Sequence, residues 1–261
     1  MRYCLPVSTL HWCSVAKMCK MAKAAGFDMV EFLLAGWILE HPEEAAEMAR
    51  DEGLDVRFHL AWTRQTSSAQ TLFWCAAWRI LTSVGWLPKQ GSTFWEMAPP
   101  IITDAVVVYA ENLLNGLQVN HYVQTMSTMK DGRFQISRAD ADRRLLGGVQ
   151  LVVFDTYHDL HFRDGGLQIL EENSRVRLLE LMVADYKMYG SRIAEIHIQD
   201  WSKTGGRSVW PGTGDLPIRE FLLEVVNRDS ELILTPETKP IMRNVADGLK
   251  RLCNDVQDLV D

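Results

Sequence analysis

The sequence predicts an α/β fold: a single (β/α)8 TIM barrel over residues 1–261, with a compressed or irregular fourth βα unit. Two observations predict it. Apolar strand-like runs alternate with helical segments closed by glycine, the pattern of a parallel sheet covered by helices. The 261 residues are 47 % apolar and show no linker, repeat or composition shift, which suits one barrel of about 250 residues.

The elements follow in order. Residues 3–8 read as strand one. Residues 12–25 read as a helix, with Val15, Met18, Cys19, Ala22 and Ala25 at helical spacing, Ser14 as N-cap and Gly26 just past the end. Residues 28–33 form strand two. Pro42, Glu43 and Glu44 open a helix that Gly53 closes, with proline in the first turn and acids at the positive helix end. Residues 55–60 form strand three, and 68–84 a helix rich in Trp and Ala. Residues 85–104 are too short for an ordinary βα unit, although 93–97 offers a strand. The apolar run 105–112 reads as the next strand, with a helix around 137–146. Strand 149–155 is followed by a long histidine-containing loop, 156–173. A helix capped by Ser174 runs to Tyr189, then strand 193–198, helix 216–227, strand 231–237 and a closing helix 244–259.

Composition excludes several classes. The net charge of −7, without a basic block, lacks the electrostatic footprint of a nucleic-acid binder. No stretch reaches the roughly 18 apolar residues of a membrane span. The five cysteines, Cys4, Cys13, Cys19, Cys75 and Cys253, are odd in number and lack C-x-x-C spacing. They fit reduced thiols, and the first residues read as a strand rather than a secretory leader, so a cytoplasmic protein is expected.

The chemistry lies at strand ends. Glu111, Asp155, His197 and Glu237 close four successive late strands in this reading. In a parallel barrel all carboxyl ends share one face. Each residue alone has an ordinary explanation: a solvated loop acid for Glu111 and Glu237, a cap for Asp155, a satisfied core histidine for His197. Together, three carboxylates and one imidazole on one face predict a site for one divalent metal ion, and mostly oxygen ligands favour Mn²⁺, Mg²⁺ or Co²⁺ ahead of Zn²⁺.

At these residues the chain resembles the xylose isomerase-like barrels, the sugar phosphate isomerases and epimerases with the endonuclease IV type of AP endonuclease as a relative. The resemblance lies in Ala110-Glu111-Asn112-Leu113, Phe154-Asp155-Thr156-Tyr157-His158, Ile196-His197-Ile198-Gln199-Asp200, Pro211-Gly212-Thr213-Gly214-Asp215-Leu216 and Pro236-Glu237-Thr238. Val30-Glu31-Phe32 and Phe58-His59 are weaker matches. It implies that Glu111, Asp155, His197 and Glu237 bind the metal and that Glu111 and Glu237 flank a small-molecule substrate. One removes the proton beside a carbonyl and the other returns it, through an enediolate. It also implies that His158 meets substrate oxygens.

Further substrate-side candidates are His59 at the end of strand three, Arg207 for a hydroxyl or phosphate, and Trp210, Trp12 and Trp62 as apolar walls; His161 has no assigned role. The trinuclear endonuclease pattern is not met, because residues 85–104 hold no histidine and none follows His197. The resulting expectation is a sugar isomerase or epimerase without nucleic-acid or membrane partners, with a homo-oligomer left open. The alternatives are a metal-dependent lyase, dehydratase or hydrolase on the same site, or a barrel that binds a ligand without turnover.

Overall fold

The alternation of apolar strands and amphipathic helices folds into a closed barrel of eight parallel strands. The computed structural model describes residues 1–6, 13–33, 37–38, 41–60, 94–97, 121–124, 151–161, 167–226, 231–239, 241 and 243–261. The strands are β1 (Arg2–Pro6), β2 (Met29–Leu33), β3 (Asp55–Leu60), β4 (Phe94–Met97), β5 (His121–Gln124), β6 (Leu151–Asp155), β7 (Ile193–Ile198) and β10 (Ile233–Pro236). They pair in the order β1-β10-β7-β6-β5-β4-β3-β2. A separate antiparallel hairpin, β8 (Asp200–Ser202) and β9 (Gly206–Val209), stands directly after β7.

The helices are α1 (Val15–Ala25), α2 (Pro42–Asp51), α3 (Thr156–His161), α4 (Leu167–Glu172), α5 (Arg175–Tyr189), α6 (Ile218–Val226) and α7 (Val245–Asp258). In α1 the buried face is Val15, Met18, Cys19, Ala22 and Ala25, and in α7 it is Leu249, Leu252, Cys253 and Val256. Both stripes follow the i, i+3, i+4, i+7 spacing of a helix packed on a sheet. Gly26 ends α1 with a φ of 99°, where its N–H donates to the Lys23 carbonyl; a side chain there costs left-handed strain. Ser174 caps α5 by accepting from the Arg177 N–H.

Strand residues alternate between two interiors. Leu5, Val30, Phe32, Val56, Phe154, Ile196, Ile198 and Leu234 join the helices in the main core. Cys4, Met29 and Ile233 form a separate small cluster, on the strand positions that alternate with the main core and so point into the barrel. Burying each large apolar side chain contributes about 1.5–3 kcal/mol. No helix among the described residues is long and apolar enough to cross a membrane.

Two sequence expectations change. The fifth barrel strand is residues 121–124, a stretch to which the sequence assigns no element; the strand expected at 105–112 lies outside the described residues. The expected loop at 156–173 contains the short helices α3 and α4. The fourth strand falls inside the 93–97 candidate and pairs between β3 and β5. The expected helices at 68–84 and 137–146 lie outside the described residues.

Candidate metal centre

The pleat of β7 decides which of its residues enter the barrel. Ile196 and Ile198 face the helices, so Glu195 and His197 face inward. The register places His197 between Asp155 on β6 and Thr235 on β10. Thr156 stitches these strand ends together: its hydroxyl accepts from the Gln199 N–H at 2.9 Å and lies 2.9 Å from the Gln199 carbonyl and 3.3 Å from that of His197.

His197 is fully buried and meets carboxylates on both sides of its ring. Nδ1 lies 3.0 Å from Glu237 Oε1, and the Glu237 side chain keeps 22 % exposure. Nε2 lies 3.5 Å from Glu31 Oε2 and 3.6 Å from Glu195 Oε1. The second Glu237 oxygen accepts from the Gln199 amide at 2.7 Å. The Glu237 N–H donates to the Ile198 carbonyl at 2.9 Å, which fixes the backbone just beyond β10.

Glu195 is anchored from below. It pairs with the Arg57 guanidinium, and the Thr235 hydroxyl donates to its other oxygen. Arg57, Glu195 and Thr235 are all inaccessible to solvent. Nearby, burial first and the Glu31 charge second push the Cys4 thiol up to about 12.

Asp155 is also fully buried. Its Oδ1 accepts from the N–H groups of Tyr157 at 2.9 Å and His158 at 2.7 Å, at the start of α3. His158 Nε2 lies 4.0 Å from Asp155 Oδ2. His161, without a role in the sequence reading, stacks on Tyr157 with ring centroids 4.9 Å apart. Burial raises the Tyr157 phenol, and the positive charge of Arg207 partly offsets this, which places Arg207 near the same rim. Arg207 itself is exposed on β9.

The Pro-Gly turn wraps the buried Asp200. That carboxylate accepts from the N–H groups of Trp201 at 2.7 Å and Gly214 at 2.9 Å. A Cβ on Gly214 lies 2.3 Å from Asp200 Oδ1 and 2.4 Å from the Trp201 carbonyl oxygen, so only glycine fits this approach. Trp210 is turned to the closing helix: its indole N–H donates to Asp255 at 2.7 Å and Arg251 lies over its ring.

Of the residues singled out in the sequence, His197 and Glu237 come together, with Asp155 beside His197 in register. Glu111, Trp12 and Trp62 lie outside the described residues, and for His59 only the backbone in β3 is described. The centre includes Glu31: one donor atom each from Glu31, His197 and Glu237 lies within 4.8 Å of the others. Glu31, Glu195, Arg57 and Gln199 had no role in the sequence reading. The signal was present in the first three, since a charged residue inside an apolar strand needs a buried partner.

A divalent cation fits this centre. The donors are two carboxylates and an imidazole. Around His197 the carboxylates of Glu31, Glu195 and Glu237 outnumber the one guanidinium, Arg57, found there among the described residues, an acidic surrounding that suits a divalent cation.

No protein-family model and no curated protein matches the sequence. Solved structures do match over the full chain. A xylose isomerase domain protein from Alicyclobacillus acidocaldarius is 14 % identical, with a TM-score of 0.67 over 100 % of this chain and 98 % of that one. A D-tagatose 3-epimerase-like protein is 12 % identical, with a TM-score of 0.69 over 100 % and 98 %. The 3-keto-D-glucoside 4-epimerase from E. coli is 15 % identical, with a TM-score of 0.62 over 99 % of each chain. The chain has the xylose isomerase-like TIM-barrel fold.

Proposed function

We propose that this protein is a divalent-metal-dependent isomerase or epimerase of a sugar or sugar-like hydroxycarbonyl compound. The observation that carries the reading is the convergence of Glu31, His197 and Glu237 at the carboxyl end of the barrel, with Glu237 partly open to solvent. That end is where barrels of this architecture place their chemistry. Solved structures of the same fold include L-ribulose 3-epimerase and D-allulose 3-epimerase, which supports a ketose as the substrate class.

Glu31, His197 and Glu237 would hold the cation, with Asp155 and Glu111 as further ligands. Oxygen-rich ligation favours Mn²⁺, Mg²⁺ or Co²⁺ over Zn²⁺. Such a cation supplies Lewis-acid polarisation of the substrate carbonyl and its neighbouring hydroxyl. Glu237 takes the proton from the carbon next to the carbonyl, one of its oxygens held by the Gln199 amide. The proton returns to the opposite face in epimerisation, or to the neighbouring carbon in isomerisation, with Glu111 as the second acid–base. His158, His59 and Arg207 are assigned to substrate oxygens and Trp210 to the rim.

The test is incubation with D-tagatose, L-ribulose and D-allulose in D₂O containing Mn²⁺. Wild type is expected to place deuterium next to the carbonyl of at least one of them, and Glu237→Gln to place none. Exchange retained by Glu237→Gln removes that residue from the role. A product lighter by one water points to a dehydratase, and binding without exchange to a non-catalytic barrel.

A further inference from the structure

The neighbouring strands β6, β7 and β10 end on Asp155, Ile198 and Pro236, and the first residues beyond them are Thr156, Gln199 and Glu237. The register keeps these ends level: Asp155 pairs with His197, and Ile198 with Pro236. The three residues beyond are joined in a row. The Thr156 hydroxyl accepts from the Gln199 N–H at 2.9 Å and lies 2.9 Å from the Gln199 carbonyl oxygen, to which it can donate. The Gln199 side-chain amide donates to Glu237 Oε2 at 2.7 Å. Thr156 is itself fixed, because Asp155 Oδ1 accepts from the N–H groups of the two residues that follow it, Tyr157 and His158. A threonine is also stiff at χ1. Thr156 is fully buried and Gln199 is 5 % exposed, whereas the Glu237 side chain keeps 22 %. The row therefore runs from a rigid buried hydroxyl to the one partly open carboxylate beside His197.

We propose that Thr156 is a positioning residue that acts through Gln199: by fixing the Gln199 backbone it aims the side-chain amide at Glu237 and holds that carboxylate in place for proton transfer. The inference rests on the reading of Glu237 as an acid–base group and adds the residue, two strands away, that sets its place. The two shortest contacts of the hydroxyl both go to the backbone of the residue whose side chain grips Glu237. Without the hydroxyl, the buried Gln199 N–H loses its acceptor, and an unmet buried donor drives the local backbone to rearrange. A shift there moves the amide, and a carboxylate with access to water then leaves its position.

Two measurements on the full chain test this. The first is kcat and KM for proton exchange on the ketose that wild type turns over. Thr156→Val keeps the side-chain shape and removes the hydroxyl. It is expected to lower kcat by about 3- to 10-fold, the size of one neutral hydrogen bond, with KM unchanged, and Thr156→Ser is expected to restore kcat. Added to Gln199→Ala, Thr156→Val is expected to cost nothing more, because the two residues act in series. Losses that multiply overturn the proposal, as does a wild-type kcat in Thr156→Val or a loss carried by KM. The second is the ¹H–¹⁵N signal of the Gln199 side-chain amide, assigned by comparison with Gln199→Ala. In Thr156→Val it is expected to move toward the position it takes in Glu237→Ala, and an unmoved signal overturns the proposal. Should Thr156→Val fail to fold, a crystal structure of wild type decides: the amide on Glu237 and the hydroxyl on the Gln199 backbone uphold the proposal, and either contact missing overturns it. If wild type exchanges none of the ketoses, the acid–base reading of Glu237 falls, while the amide signal still decides whether Thr156 aims Gln199.

Discussion

Glu237 Oε1 lies 3.0 Å from His197 Nδ1, joining the loop after β10 to the inward face of β7. That spacing suits two ligand atoms sharing one cation. Glu237→Ala is expected to weaken Mn²⁺ binding by more than about 100-fold, beyond the range usual for outer partners of a metal ligand. Isothermal titration calorimetry reads this directly, and an unchanged affinity removes Glu237 from the ligand set.

Gln199 holds the other Glu237 oxygen at 2.7 Å. A hydrogen bond to a charged group is worth about 1.5–3 kcal/mol, roughly a 10- to 100-fold effect. Gln199→Ala is therefore expected to lower kcat for proton exchange by about that factor. Gln199→Glu is expected to be worse, because it sets a second carboxylate against Glu237. Steady-state rates on the ketose that wild type turns over provide the check; full activity in both variants would show that Glu237 does not depend on this amide.

The fold was legible where strands are buried on both faces and bounded by glycine or polar residues. Strand β7 begins and ends where its apolar run does, and the stripes of α1 and α7 follow directly from helical spacing. The strand at 121–124 was not legible, because His121-Tyr122-Val123-Gln124 is short and largely polar beside the more apolar run at 105–112. The hairpin after β7 was not read from the sequence, because its strands are only three and four residues long. At the site, the meeting of His197 and Glu237 was legible because the carboxyl ends of parallel strands share one barrel face. Glu31 and Glu195 were harder to read, since they act from inside their strands, and which charges meet there depends on barrel closure and register.

Asp200 gives the protein a distinct pH dependence. Burial raises its carboxyl from 3.8 to about 6, against the opposing donation of backbone N–H groups led by that of Gly214. The folded state thus binds this proton more tightly than the unfolded chain does. Its favourable contribution is fully present below pH 3.8 and is lost as pH rises through about 6. A shift of this size corresponds to about 3 kcal/mol. Asp200→Asn removes the titration, so its stability relative to wild type is expected to improve by about that amount between pH 4 and pH 7. Urea denaturation across this range tests it, and parallel profiles for the two proteins would contradict it.

The central claim is that one divalent cation sits between His197 and Glu237. A crystal structure grown with Mn²⁺, with anomalous data collected near the manganese edge, tests it most directly. The account predicts one strong anomalous peak within bonding distance of His197 Nδ1 and a Glu237 carboxylate oxygen. Full Mn²⁺ in the crystallisation drop with no peak at that position, or a peak only elsewhere on the barrel, would contradict it.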